Sequence, residues 1–375
     1  MVRPGFASVA LLLGAWLGGE CQGVRAAATT PLPPVVGELT GGVTAWPGAP
    51  ALQWRCGFLP AAGADSLAVV LEGTGAGTSL EIAVTLQASG ELVWQVRRAE
   101  IDLAVWQPAL ATRWPMLSAY TYSGRLLLGG HGTFTNGVLG GSACLELQEG
   151  RIENPSQKLV VEGIALAFQV DDLTARKSAL AQRLSWGGGK SGAIPLGKGA
   201  LTFSLANETV HVDGVEWAVL GGMLNVGPFD LDFARPEFAV AAQVSQLDVA
   251  VLLPLLPPVL AEAQGRLDGR LVLRYGSRGL SIGAGQLSLR SGAQAQLRLL
   301  PSPGILSGSL PKKVNDLYPG LVRIEMGETF LLAEQMDVRF LPENDAAGRS
   351  ATIRIAGGPS DQALKAPLIL DLNIV

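Results

Sequence analysis

The chain has 375 residues, enough for one large β domain or two medium ones. Hydrophobic residues make up 48% and charged residues 16%, against about 25% charged in an average globular protein. A net charge of −4 leaves no basic footprint, which excludes nucleic acid as a partner.

The N-terminus reads as a secretory signal, residues 1–28. Arg3 supplies the positive start, residues 6–17 form a short apolar run, and residues 24–28 end in small side chains. The run is too short to span a bilayer as a helix. Cleavage after Ala26 or Ala28 satisfies the small-residue rule; the alternative is an uncleaved anchor. Glu20 precedes Cys21, where a lipidation site needs a small residue. N-terminal sequencing of envelope-fraction protein is expected to start near Ala27 or Thr29. A chain still beginning at Met1 would show a retained anchor.

Residues 29–50 carry Pro31, Pro33, Pro34, Pro47 and Pro50 and read as a linker. An N-terminal β region, 51–200, follows, and a C-terminal β region, 201–375. Glycine and proline together number 71 of 375, short of the roughly 25–30% share that marks low-complexity disorder. The glycines therefore read as turns between ordered strands. Residues 81–86 alternate with apolar side chains at 82, 84 and 86. Leu201, Phe203 and Leu205 share one face, as do Leu271 with Leu273, Leu287 with Leu289, and Leu297 with Leu299. The runs at 352–355 and 368–374 repeat the pattern. Alternating runs with glycine between them predict a mainly β fold.

Two segments have helical spacing. Residues 173–184 could be capped by Asp171 or Asp172. Residues 246–256 are the stronger candidate, ended by Pro254, Pro257 and Pro258. No stretch reaches about 18 apolar residues, so the mature chain is expected to be soluble or peripheral to a membrane. A weak repeat links residues 132–152 with 265–282; ordinary hairpin chemistry is the competing explanation.

Chemical motifs fail one by one. Residues 279–283 match a nucleophile elbow, but His131 and His211 both precede it and the segment reads as a strand. Ser309 and Lys312 have the S-x-x-K spacing, with a proline between them. Residues 189–191 resemble the end of a phosphate loop, but Leu184 stands where its first glycine belongs. Residues 73–77 read as a flexible turn. Two distant histidines and no cysteine pairs give no metal site. No catalytic residue and no cofactor is assigned, and the chain reads as a non-enzyme. After cleavage only Cys56 and Cys144 remain. In an oxidising compartment they form either a disulfide or two separate thiols.

From residue 215 to the C-terminus the chain resembles the YdbH-like proteins of bacterial envelopes, relatives of the AsmA-like group. The resemblance rests on residues 219–222, Phe229, Phe238, the run 246–253, residues 265–273, residues 279–289 and the closing 365–373. Residues 100–215 match more weakly and 29–100 hardly at all. It implies a long curved antiparallel sheet forming an open apolar groove, with one or two short helices. It also implies a periplasmic or envelope location, a phospholipid or other acyl-chain ligand, and other envelope proteins as partners. Typical members are longer at the N-terminus and anchored there. In such a fold the inward residues are Leu201, Phe203, Leu205, Leu271, Leu273, Leu287, Leu289, Leu297 and Leu299, the candidate lipid-binding set. The function expected is binding or conducting acyl chains, accessory to intermembrane phospholipid transport. The alternative is a structural or adhesive β-rich surface protein. An outer-membrane barrel is disfavoured by only 6% aromatic residues.

Overall fold

A computed structural model describes residues 37–44, 49–60, 66–192, 194–207, 209–232, 237–253, 259–276, 279–304, 306–309, 319–341, 349–361 and 367–374. The segment read as a secretory signal lies outside them, as does Lys312 of the S-x-x-K spacing. Strands make up 70% of the described chain, in one antiparallel sheet of 23 strands that does not close into a barrel. The chain divides into two compact units. The first holds residues 1–186 with 204–207, and the second holds 187–203 with 208–375.

The first unit begins with β1 (Gly37–Val43), a strand inside the segment read as linker. Then come β2 (Leu52–Pro60), β3 (Ser66–Gly75), β4 (Thr78–Gln87), β5 (Leu92–Asp102), β6 (Thr121–Thr135), β7 (Val138–Asn154) and β8 (Leu159–Asp172). Each pairs antiparallel with the next. Such up-and-down order follows from short connections between alternating runs. The β6–β7 turn is Asn136-Gly137, both at positive φ (52° and 82°). That backbone matches the twist of a two-residue hairpin and favours this residue pair. The first half of the suspected repeat is therefore a hairpin tip, whereas residues 265–269 enter an uninterrupted strand in the second unit. Residues 173–184 are not helical. Asp172 Oδ1 accepts from the N–H groups of Thr174 and Ala175, closing a turn. Arg176 and Ala181 then take positive φ, which a helix does not tolerate. The segment supplies β9 (Lys177–Ser178) and the start of β10 (Gln182–Trp186), which pairs with β8.

Helix α1 (Leu103–Arg113) joins β5 to β6. Asp102 caps it, its Oδ1 accepting from Ala104 N–H at 2.9 Å. Trp106 and Ala109 pack on Ala49 and Leu52. The larger core of this unit lies under β2–β5, where Cys56, Val69, Leu71, Val84, Leu92, Trp94, Val96 and Ala99 are buried together.

The second unit contains β11 (Gly188–Ser191), most of β12 (Ile194–Ala206), β13 (Thr209–Val219), β14 (Gly222–Val226), β15 (Phe229–Asp232) and β16 (Phe238–Asp248). It continues with β17 (Leu260–Gln264), β18 (Arg266–Gly276), β19 (Gly279–Leu289), β20 (Ala295–Leu299), β21 (Leu331–Phe340), β22 (Ala351–Pro359) and β23 (Leu368–Ile374). The elbow-like 279–283 is the start of β19, and 189–191 lie in β11. The helix expected at 246–256 is shorter in the described residues. Val249–Leu252 form one turn, α2, capped by Asp248, after β16 has run to Asp248. Helix α3 (Pro319–Glu325) sends Leu321 and Ile324 into the interior.

Cross-strand register builds the second core. One rung runs Leu224, Val244, Gly269, Leu287, Val338, Ile353, Leu372. Leu267, Leu287, Leu297, Leu331 and Ile324 are 1% exposed or less. Each such side chain contributes about 1.5–3 kcal/mol through burial. Glu325 is buried among them. Its carboxylate accepts from Leu306 N–H (3.1 Å), Ser307 N–H (3.1 Å) and Ser307 Oγ (2.7 Å).

Candidate functional site

The first unit presents one continuous apolar sheet face. Register across β2–β5 places Cys56, Leu71, Ile82 and Val96 in one row. Gly130, Ala143 and Val170 extend that row through β6, β7 and β8. The next row is Leu128, Leu145, Phe168, and the next is Leu126, Leu147, Leu166, Leu184. Strand alternation puts all of them on one side. Coverage changes along the face. Under β2–β5 the row is largely buried. Over β6–β8 and β10 the same face is only half-buried at Leu126, Leu128, Leu145, Leu147, Leu166, Phe168 and Leu184.

The opposite face is polar and open. Cys144, Glu146, Ala167, Gln169 and Arg183 are exposed there. Nearby ion pairs include Arg151 with Glu153 and Glu162, and Arg97 with Glu81. Exposed pairs like these contribute roughly 0–1 kcal/mol and act mainly to keep that face wet. A cavity of about 480 Å³ opens on this polar face, where Leu127, Cys144, Glu146, Ala167, Gln169 and Arg183 are among the residues that line it. Gln182 is buried, and its side chain stitches the strands together. Its Oε1 accepts from Gln169 N–H at 2.7 Å and its Nε2 donates to Ala179 O at 2.9 Å.

Cys56 and Cys144 are free thiols. Cys56 lies on the apolar face, where burial pushes its pKa up and leaves the thiol inert. Cys144 lies on the polar face, one residue along from Ala143 in the Cys56 row, so the two thiols point to opposite sides of the sheet.

The nine residues nominated from alternation fall into two groups. Leu271, Leu287, Leu297 and Leu299 are buried inside the second core, with Leu273 and Leu289 packed at its margin. Leu201, Phe203 and Leu205 on β12 are half-buried. Contact between a ligand and the four buried residues would require that core to open. Alternation within 143–147 was visible in the sequence, and it marks Leu145 and Leu147 as one face. Their position at the half-covered end of a long apolar face was not visible, because it depends on pairing with strands far away in the chain.

An open antiparallel sheet with one apolar face, only half covered over its central strands, defines a protein that offers an extended apolar surface. The chain belongs to the YdbH-like family, described as intermembrane phospholipid transport protein YdbH, whose model matches residues 39–306. The match begins well before residue 100, so it includes the whole apolar face of the first unit. It ends before the closing 365–373 run on which part of the sequence resemblance rested. No curated protein and no solved structure matches the chain. Among the described residues, no helix is long and apolar enough to cross a membrane.

Proposed function

We propose that this protein binds phospholipid acyl chains on the half-covered apolar face of its first unit and serves phospholipid movement between two membranes. The observation that carries the reading is the pair of rows Leu128–Leu145–Phe168 and Leu126–Leu147–Leu166–Leu184, apolar throughout and half-buried. An apolar face of this extent is unfavourable in water and marks a binding surface. Acyl chains match it in chemistry, and the family description supplies the phospholipid. The protein acts as an exported, periplasmic component peripheral to the membrane, and the N-terminal segment with its apolar run is its export signal. Of the nine residues nominated from alternation, Leu273 and Leu289 pack at the margin of the second core. The four buried ones hold the second core together.

Leu145→Asp tests the reading. The carboxylate at this half-buried site can reach water, so the melting curve is expected to shift by only a few degrees. An unpaired charge in the acyl path is expected to lower co-purified phospholipid by roughly tenfold or more. Mass spectrometry of lipid bound to the purified protein measures it. Wild-type protein free of lipid would overturn the proposal and favour a structural or adhesive role.

A further inference from the structure

We infer that the Arg113–Trp114 end of helix α1 docks on the surface of a phospholipid bilayer and sets the β6–β8 part of the apolar face beside it. This rests on the phospholipid reading above and adds the membrane contact that lipid uptake needs. Trp114 is 45% exposed, a large amount for a tryptophan. The Arg113 guanidinium lies over its ring, 5.7 Å from the centroid. Thr112, Pro115, Ser118 and Ala119 are exposed around them. No carboxylate side chain occurs in residues 103–120. Glu153, opposite Thr121 in register, is paired with Arg151 on the polar face. The whole chain carries a net charge of −4, so a stretch with a cation and no anion stands apart.

Helix α1 holds this end in place. Trp106 and Ala109 are its buried residues, and Trp114 N–H donates to Leu110 O at 2.8 Å. Pro115 then starts a 3-10 turn, Pro115–Ala119. The helix is fastened to β6. Tyr122 Oη donates to Gln107 O at 3.1 Å, and Gln107 Nε2 donates to Tyr120 O at 3.5 Å. Tyr122 shares a row with Ile152 and Val161. Arg151, Glu153 and Glu162 take the polar face, so alternation turns Ile152 and Val161 to the apolar one. Ile152 is 37% exposed. Helix α1 therefore meets the apolar face at its last row, next to the rows through Leu126 and Leu128. Trp114 follows Gln107 by seven residues, about 10 Å along the helix.

The chemistry of the patch selects a bilayer. Phospholipids have almost no solubility as monomers, so a protein that takes them up must touch the membrane that holds them. An indole has an apolar body and a polar edge, which suits the boundary between headgroups and acyl chains. A guanidinium beside it binds phosphate oxygens. Anionic headgroups attract Arg113, and no carboxylate within 103–120 opposes them. A lipid that leaves the bilayer at Trp114 meets the Tyr122–Ile152–Val161 row first and the Leu126 and Leu128 rows after it.

Flotation of the full chain with phosphatidylglycerol and with phosphatidylcholine vesicles tests the surface. Wild type is compared with Trp114→Ala, Arg113→Gln and Leu180→Ala. The three side chains are exposed, so the variants are expected to keep the wild-type melting temperature. Trp114→Ala is expected to lower partition onto both vesicles by roughly tenfold, since an indole no longer leaves water. Arg113→Gln is expected to lower it roughly fivefold on phosphatidylglycerol alone. Leu180 is 80% exposed and lies in the turn beside Gln169, away from α1. Leu180→Ala should partition like wild type. Wild type that stays off both vesicles, equal partition of wild type and Trp114→Ala, or an equal loss in Leu180→Ala would overturn the docking surface. So would light scattering that shows a wild-type dimer and a Trp114→Ala monomer, because a second copy would then cover the patch. Phospholipid co-purified with wild type is counted separately. Lipid-bearing wild type whose partition ignores Trp114 sinks the docking surface alone. Wild type that partitions through Trp114 yet carries no lipid sinks the acyl-chain reading alone.

Discussion

Leu287→Asp is expected to unfold the second unit. Leu287 is 1% exposed and sits between Gly269 and Val338 in the central rung of the core. A carboxylate there has no water and no cation in its row. The cost is on the order of 5 kcal/mol or more, comparable to the whole stability of many domains. Leu287→Ala should cost about 2–5 kcal/mol, the range for a cavity left by a deleted core side chain. Urea denaturation followed by circular dichroism separates the two variants. A Leu287→Asp protein with near wild-type stability would mean that this core is open to solvent. The contrast with Leu145→Asp is the point of the pair: the same substitution should unfold one unit and leave the other folded without its lipid.

Glu325→Ala is the second large effect. Burial alone would push the Glu325 carboxyl up. Hydrogen bonds from the Ser307 hydroxyl and from the Ser307, Leu306 and Gly304 N–H groups outweigh it and hold the group below the ordinary carboxylate value of 4.5. At 3% exposure these donors have few other partners, so Glu325→Ala leaves them unmet. The expected loss is roughly 3 kcal/mol or more at neutral pH. The pH dependence has a definite sign. The folded carboxyl titrates lower than the unfolded one, so its stabilisation is complete above the unfolded value and fades as pH falls towards the folded one. The gap between wild type and Glu325→Ala should therefore narrow on acidification from neutral pH to below 4.5. A gap that stayed constant, or widened, would show that the carboxylate does not anchor the 304–307 segment.

Strand content was legible because period-2 alternation survives in short runs. The pairs Leu287 with Leu289 and Leu297 with Leu299 each lie on one face of a strand, as alternation required. Alternation names a face but not what covers it. Leu287 and Leu145 look alike in sequence, yet Leu287 belongs to the buried second core, which Ile324 of α3 joins. Leu145 lies beyond the buried rows of the first unit. Helices were harder to read. Asp102 followed by residues 103–113 carries a cap signal, but Pro108 breaks the apolar spacing and hides α1. Residues 173–184 have good spacing and a capping aspartate, yet the backbone turns at Arg176 and Ala181 and the segment is drawn into the sheet. There the demand for strand pairing overrode a weak local preference.

The central claim is that lipid lies on the apolar face of β6–β8. Photo-cross-linking residues placed singly at Leu145 and Phe168 report that face, and the same residue at Glu146 and Ala167 reports the opposite one. After incubation with phosphatidylglycerol vesicles and irradiation, mass spectrometry counts lipid adducts at each site. Adducts are expected at positions 145 and 168, and none above background at 146 and 167. Equal labelling of both faces, or labelling confined to 146 and 167, would contradict it.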